Sequence, residues 1–143
     1  MFGYKCTLQT DTEVITYMID YLHRRKKLTL EEIASVAAAP FWSTIDRKPA
    51  AERARLTYLR NMFSSMLVTG PFSILLGFEG GLMALNDRLK LRSMVAAEKG
   101  ERFYAASEEA AIRIIEPEPD RIWSPRGGEP VIVRLNGGEK HGN

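Results

Sequence analysis

Gly70-Pro71-Phe72-Ser73-Ile74-Leu75-Leu76-Gly77 is the stretch at which the chain changes from helical to strand-like patterning. Gly-Pro breaks a helix, and the nearly all-apolar residues 72–77 predict a buried strand. Glu79-Gly80-Gly81 then gives a turn signal, and apolar residues return at Leu82–Leu85. The stretch therefore predicts an α+β chain, with helices first and mainly antiparallel strands afterwards.

Upstream of this stretch, the sequence predicts one short strand and three helices. Residues 2–9 mix aromatic and polar types, as a strand would. Thr10-Asp11-Thr12-Glu13 and Thr29-Leu30-Glu31-Glu32 fit the capping-box pattern that begins a helix, and Pro49 suits the start of a third. The apolar positions at helical spacing in the first and third helices are Val14, Ile15, Met18, Ile19 and Leu22, then Leu56, Leu59, Phe63 and Met66. Phe41-Trp42 is predicted to pack in a connecting segment.

Downstream, the pattern favours short strands separated by turns. The predicted elements are a hairpin of Ser93–Ala97 and Arg102–Ala106, a short helix capped by Ser107 and running to Ile114, a loop marked by Pro117, Pro119 and Pro125, and a last strand over Pro130–Leu135. The Gly-rich residues 136–143 are predicted to form a flexible tail.

Composition excludes several classes of function. The net charge of +2 over 143 residues is small for a nucleic-acid binder. One cysteine allows no internal disulfide and favours a reducing, cytoplasmic setting. One cysteine and two histidines are too few for a zinc site, so no metal is predicted. No apolar run reaches the length of a membrane span. The basic run His23–Lys27 either binds phosphate or complements a helix C-terminus, and the second reading is favoured.

Three groups of residues together resemble class II glutamine amidotransferases. The first, Thr10 to Ile15, is similar to the family's Ser/Thr-Asp-Thr/Ser-Glu-Val-Ile element. The second pairs Gly70-Pro71-Phe72 with Asn86-Asp87-Arg88-Leu89-Lys90-Leu91-Arg92, which resembles Asp-Arg-Asn-Gly-Leu-Arg-Pro. The third pairs Ala105-Ala106-Ser107-Glu108 with Gly127-Gly128-Glu129-Pro130, which resembles the closing Pro-Gly-Glu turn. The region from Pro40 to Phe72 is most similar to the amidotransferase subunit of archaeal-type glutamate synthases.

The resemblance implies a fold and a chemistry. The fold is a partial αββα sandwich of the N-terminal-nucleophile hydrolase type, with residues 1–135 as the C-terminal portion of the domain and 136–143 as the tail. In this family an N-terminal cysteine attacks the glutamine side-chain amide, and an Asn-Gly pair forms the oxyanion hole. The released ammonia passes to a synthase site that carries a flavin and an iron–sulfur cluster. No cofactor is expected in this chain itself.

The sequence departs from the family pattern in the catalytic elements. It has no Cys-Gly-Ile start and no His-Asn-Gly element. Cys6 has five residues before it, so it is predicted to be a structural strand residue, and no catalytic residue is assigned to the chain. Leu89-Lys90 replaces the family's Asn-Gly, which predicts a strained residue with positive φ in this turn. Ser93 replaces the family's proline.

The resemblance implies one substrate contact and one loop. Asp11 would bind the α-ammonium of glutamine; the alternative is an acid that favours the first turn of its helix. The loop contains Asp87, Arg88 and Arg92. It would form part of an interface; the alternative is a turn whose charged side chains pair with each other. Glu13 is interpreted as the capping-box partner of Thr10.

Two functions follow as hypotheses. The chain is part of a glutaminase domain that is inactive without its N-terminal half, and its partners are that half, glutamate synthase subunits and glutamine. Alternatively, it is a non-catalytic module that binds a partner subunit through an exposed sheet. In either case we expect self-association through unpaired strand edges, and no partner nucleic acid or membrane. A nucleic-acid binder built on Arg24–Lys27 is the weakest alternative.

Overall fold

The computed structural model describes residues 3, 5–8 and 10–135. The chain divides into two compact units, Met1–Leu67 and Val68–Asn143. The described part of the first unit is helical, and the second contains antiparallel strands and one short helix. The fold is therefore α+β with helices first, as predicted.

The first unit is built from four α-helices. They are α1 (Asp11–Asp20), α2 (Leu30–Ala37), α3 (Trp42–Ile45) and α4 (Ala50–Met62), with a π-helical turn at Tyr21–Arg25 and a 3₁₀ turn at Ser64–Met66. The core of this unit is aliphatic with one phenylalanine, and its buried members include Met18, Ile19, Leu22, Ile33, Val36, Ile45, Leu59, Phe63 and Met66.

The predicted N-caps of α1 and α2 are confirmed, but the predicted capping box is complete only at α2. The Thr10 hydroxyl accepts the N–H of Glu13 at 3.2 Å. At α2, Thr29 accepts the N–H of Glu32 at 3.3 Å, and the Glu32 carboxylate accepts the N–H of Thr29 at 3.0 Å. These bonds satisfy N–H groups that have no partner inside the helix, which is why both helices begin where the sequence indicated.

The second unit holds two three-stranded antiparallel sheets. The strands are β1 (Ser73–Phe78), β2 (Gly81–Asn86), β3 (Val95–Lys99), β4 (Arg102–Ala106), β5 (Arg121–Trp123) and β6 (Val131–Arg134), and helix α5 spans Glu109–Ile115. The strand order is β1-β2-β6 in one sheet and β4-β3-β5 in the other. Both predicted hairpins are confirmed, with Phe78 opposite Gly81 and Lys99 opposite Arg102.

The prediction that Phe72–Gly77 is a buried strand was wrong about burial. Within the described residues, β1 pairs with β2 alone and lies at the edge of its sheet. Its side chains alternate between exposed and half-buried, and Leu75 is 58% exposed. The fully buried strand is the central β2, where Met83, Ala84 and Leu85 have almost no exposure.

Several other predicted elements also differ from the structure. Residues 5–8 are not a strand, and Trp42 begins a short helix instead of lying in a connecting segment. Val14 is exposed and does not join the apolar face of α1. The N-cap of α5 is Glu108, not Ser107, and no side-chain bond caps it. The predicted proline-marked loop contains β5, which pairs with β3. The tail at 136–143 lies outside the described residues.

Candidate functional site

The loop after β2 is folded around the carboxylate of its own first residue. Asp87 is 2% exposed. Its Oδ1 accepts the backbone N–H groups of Leu89 at 3.1 Å and Leu91 at 3.0 Å, and its Oδ2 accepts that of Arg92 at 3.0 Å. A carboxylate that accepts several N–H groups fixes the backbone that supplies them. We call residues 87–92 the Asp87 loop.

The environment of Asp87 keeps its side chain ionised. Burial of the carboxyl group acts to raise its pKa, but the backbone N–H groups of Leu91, Arg92, Phe72 and Leu89 act in the opposite direction. The net effect holds the pKa of Asp87 below its ordinary value. The group is therefore an anion at neutral pH, with its charge directed into the loop.

Lys90 confirms the prediction of a strained residue in this loop. Its φ is 55°, in the left-handed region. Its N–H donates to the carbonyl of Asp87 at 2.9 Å and closes a tight turn. A side chain in this conformation costs roughly 1–2 kcal/mol relative to glycine. The hydrogen bonds to the Asp87 carboxylate and carbonyl hold the strained residue in place.

A second segment singled out by sequence packs against the Asp87 loop. A Cβ atom placed on Gly127 would lie 2.5 Å from the carbonyl oxygen of Arg88 and 3.1 Å from that of Asp87. Only a glycine allows so close an approach of two backbones. The next residue, Gly128, has a φ of 72°. The Asp87 loop and the Gly127-Gly128-Glu129 turn, which are far apart in sequence, are therefore in contact.

Asn86 adds a buried polar group beside this loop; the sequence places it in the segment that resembles the family but assigns it no role. The residue is fully buried. Its Nδ2 is 3.4 Å from the carbonyl oxygen of Arg92, while no described residue donates a hydrogen bond to its Oδ1. Its position immediately before Asp87 was the available signal, but burial of its side chain could not be predicted from sequence.

Asp11 occupies the first turn of α1 and is exposed. Its carboxylate has no hydrogen bond or ion pair with another residue in the described ranges. An exposed carboxylate at a helix N-terminus could meet a cationic group such as an ammonium. Asp11 belongs to the first compact unit, whereas Asp87, Arg88 and Arg92 belong to the second.

The interpretation of Glu13 as the capping-box partner of Thr10 was wrong, because its carboxylate binds residues that precede Thr10. The carboxylate is mostly buried and accepts the N–H of Thr7 at 2.8 Å, the hydroxyl of Thr7 at 3.1 Å and the N–H of Leu8 at 2.8 Å. The hydroxyl of Tyr17 also lies 3.3 Å from it. These bonds supply partners for the backbone N–H groups of Thr7 and Leu8, so these two residues do not need a neighbouring strand. Cys6 is exposed there, so its prediction as a strand residue was wrong.

The basic run after α1 is part of the helix end. His23 Nδ1 lies 3.1 Å from the carbonyl oxygen of Leu28, Arg24 forms an ion pair with Asp20, and the Lys26 ammonium lies 5.4 Å from the Tyr21 ring centre. These contacts favour the structural interpretation of the run over a phosphate site.

The described residues contain neither a metal-binding cluster nor a membrane-spanning helix. Within residues 3, 5–8 and 10–135, no group of three or more His, Cys, Asp or Glu side chains is arranged to hold a metal ion. In the same part of the chain, no helix has the length and apolar character needed to cross a bilayer.

Comparison with known proteins gives one informative match. The chain is 41% identical over 140 residues to an uncharacterized protein of Archaeoglobus fulgidus. The alignment covers 98% of this chain and 37% of the archaeal protein, so the chain spans a little over a third of that relative's length. No protein-family model and no solved structure matches the chain.

Proposed function

We propose that the chain is the C-terminal portion of a class II glutamine amidotransferase domain, which releases ammonia from glutamine for glutamate synthesis. The observation that carries this proposal is the contact between the Asp87 loop and Gly127. Two segments selected for their resemblance to that family meet at a distance that only glycine permits.

The geometry around α1 supports a substrate role for Asp11. The Thr10 cap and the Glu13 bonds fix the start of the helix, and the carboxylate of Asp11 remains exposed there. In the proposed domain this carboxylate binds the α-ammonium of glutamine. A charge-assisted hydrogen bond of this kind contributes about 1.5–3 kcal/mol.

The reaction itself needs groups that this chain does not supply. In the proposed domain, an N-terminal cysteine from outside these residues passes its thiol proton to its own α-amino group, and the thiolate attacks the side-chain carbonyl carbon of glutamine. The C–N bond then breaks as that proton is delivered to the leaving nitrogen, so ammonia departs and a thioester remains. Water then cleaves the thioester to give glutamate. The archaeal relative extends well beyond the matched segment, which leaves room for such a nucleophile in a longer protein. The finer fold, an αββα sandwich of the N-terminal-nucleophile hydrolase type, is part of the same proposal.

The test is glutamate release from L-glutamine. It compares this chain alone, the complete Archaeoglobus protein, and a chimera in which this chain replaces the matched 140 residues of that protein. We expect no activity from the chain alone and glutamine-dependent glutamate release from the other two. Loss of one oxyanion donor costs about 100- to 1000-fold in other enzymes, and loss of the nucleophile as well leaves nothing measurable. An inactive Archaeoglobus protein would refute the proposal.

A second function is favoured by the edge of the first sheet. With Leu75 exposed on β1, and β1 paired on one side within the described residues, a partner strand could extend the sheet. A non-catalytic module that binds a partner through this edge would show no glutaminase activity in the chimera. It would lose partner binding when a proline interrupts β1.

A further inference from the structure

The second unit carries two surface segments of opposite charge, and each displays a pair of exposed aliphatic side chains. The first is Arg88-Leu89-Lys90-Leu91-Arg92, which we call the basic leucine loop. The second is Ile114-Ile115-Glu116-Pro117-Glu118, which we call the acidic isoleucine segment. Exposed aliphatic pairs with charged neighbours are typical of interaction surfaces.

The basic leucine loop is a rigid platform for its leucines. Leu89 and Leu91 are each 59% exposed. Their own N–H groups are bound by the buried Asp87 carboxylate at 3.1 and 3.0 Å. Because the backbone is already ordered, little conformational freedom is lost when the leucines contact a partner. The carboxylate of Asp87 is buried beneath the loop. The side chains that the loop exposes are therefore cationic or apolar.

The acidic isoleucine segment lies at the end of α5. Ile114 is 84% exposed and Ile115 is 73% exposed. The segment is braced because Arg113 donates a hydrogen bond to the carbonyl of Pro117 at 2.9 Å. Such exposure is unusual for isoleucine, which is among the residues most often buried.

The charge around the isoleucines is negative. Two cations lie beside this segment, Lys99 and Arg113. The pKa of Lys99 is raised by a hydrogen bond with Asp120 and by the nearby charges of Asp120, Glu116 and Glu118, and its ammonium pairs with Asp120 at 2.9 Å. Arg113 pairs with Glu109 at 2.6 Å. The two cations therefore face four carboxylates, and the surface retains a net negative charge.

We propose that the basic leucine loop of one copy docks on the acidic isoleucine segment of a second copy of this chain. The two segments are complementary in chemistry and in charge. The leucines of one contact the isoleucines of the other, and the cations Lys90 and Arg92 face the anions Glu116 and Glu118. Like segments repel each other, so each contact joins two different surfaces. This contact rests on the described surface and does not depend on the proposed amidotransferase function.

The test measures association of the purified chain by sedimentation velocity over a range of concentration and salt. Wild type is expected to associate, and to associate more weakly as salt screens the opposite charges. Two double variants reverse the charge of one surface each. They are Lys90→Glu with Arg92→Glu, and Glu116→Lys with Glu118→Lys. Each double variant is expected to weaken self-association at least tenfold. An equimolar mixture of the two variants is expected to restore it, because each surface again meets its opposite.

Two controls keep the result specific. Arg47→Glu/Arg53→Glu changes the net charge by the same amount as the first variant but alters exposed residues of the other unit. It is expected to associate like wild type. Leu89→Ser/Leu91→Ser removes the apolar part without changing charge and is expected to weaken association. Circular dichroism establishes that each variant is folded.

Three outcomes would overturn the proposal. The first is a wild-type chain that stays monomeric at the highest soluble concentration and lowest salt. The second is association that survives both charge reversals but is lost in Leu75→Lys, which would place the contact at the β1 edge. The third is a mixture of the two folded charge-reversed variants that fails to associate.

Discussion

Replacing Asp87 by asparagine tests the physical account of the Asp87 loop. Asparagine is nearly isosteric and keeps one carbonyl oxygen, which can still accept the N–H groups of Leu89 and Leu91. In that orientation its NH₂ group takes the place of Oδ2, which now accepts the N–H of Arg92 at 3.0 Å. An NH₂ group cannot accept that hydrogen bond. The substitution therefore removes one charge-assisted bond and weakens two others.

The magnitude follows from these three bonds. A hydrogen bond to a charged group contributes about 1.5–3 kcal/mol, and a neutral one about 0.5–1.5 kcal/mol. Losing the first costs about 2 kcal/mol and converting each of the two others costs about 1 kcal/mol, which gives a destabilisation of roughly 4 kcal/mol for Asp87→Asn. For a chain of this length the expected fall in Tm is about 15 °C.

The assay must follow the second unit by itself. The chain has two tryptophans, Trp42 in the first unit and Trp123 in the second. In a Trp42→Phe background, Trp123 fluorescence during urea unfolding reports on the unit that contains Asp87. Glu79→Gln, which neutralises an exposed acid in the β1–β2 turn, is the matched control and is expected to unfold like its parent.

The pH dependence has a definite sign. The pKa of Asp87 is lower in the folded chain than its ordinary value, so the folded state binds fewer protons between the two pKa values. The stabilisation is complete above the unfolded pKa, near 3.9, and is lost as pH falls through the folded pKa. The difference in free energy of unfolding between the parent and Asp87→Asn should therefore become smaller in acid. Equal urea midpoints at neutral pH, or a gap independent of pH, would refute this reasoning.

Three further substitutions test neighbouring contacts. Lys90→Gly removes the side chain from a residue whose backbone is in the left-handed region, and it should raise the free energy of unfolding by about 1 kcal/mol, measured by urea denaturation. A lower free energy of unfolding would show that Lys90 is not strained. Gly127→Ala places a methyl group against the Arg88 carbonyl and should destabilise the second unit by about 1–3 kcal/mol in the Trp123 assay, while Gly77→Ala, in open space in the same unit, should not. Glu13→Gln weakens the bonds that hold residues 5–8, so the Thr7 and Leu8 amides should exchange with solvent at least tenfold faster; unchanged protection would show that Glu13 does not hold this segment.

The order and type of the main elements could be predicted because their signals are local. The Thr29 capping box is satisfied by residues three apart, and the two hairpins follow from turn residues between short apolar runs. These features depend on neighbouring residues, so no knowledge of tertiary packing was needed.

The errors arose where distant residues decide the outcome. The apolar run of β1 matched a buried strand, but whether such a run is central or at an edge depends on where β2 and β6 pair. The three-residue β5 was hidden in a proline-marked loop because its partner β3 lies more than twenty residues away. Residues 5–8 were read as a strand because the bonds from Glu13 that replace strand pairing could not be seen in a propensity pattern.

The candidate site was predictable in part. The sequence placed Asp87 and Arg88 in a turn and indicated that a positive φ at Leu89-Lys90 would be strained; the turn is present, and Lys90 is the residue with the positive φ. It did not indicate that one buried carboxylate binds three backbone N–H groups of its own loop, or that Gly127 touches this loop. Both depend on burial and on a long-range approach of two backbones, which single-sequence patterns do not encode.

The central proposal, a glutaminase domain in which Asp11 binds glutamine, is tested most directly by the kcat/KM for glutamate release. The measurement uses the Archaeoglobus chimera with wild-type, Asp11→Asn and Glu31→Gln forms of this chain. Glu31 is an exposed acid in the first turn of α2, so its variant controls for the loss of a helix-terminal charge. We expect Asp11→Asn to lose about 10- to 150-fold in kcat/KM, as loss of one charge-assisted bond implies, with Glu31→Gln unchanged. Equal kcat/KM for all three forms, or no glutamine-dependent glutamate release from the chimera and its archaeal parent, would contradict the proposal.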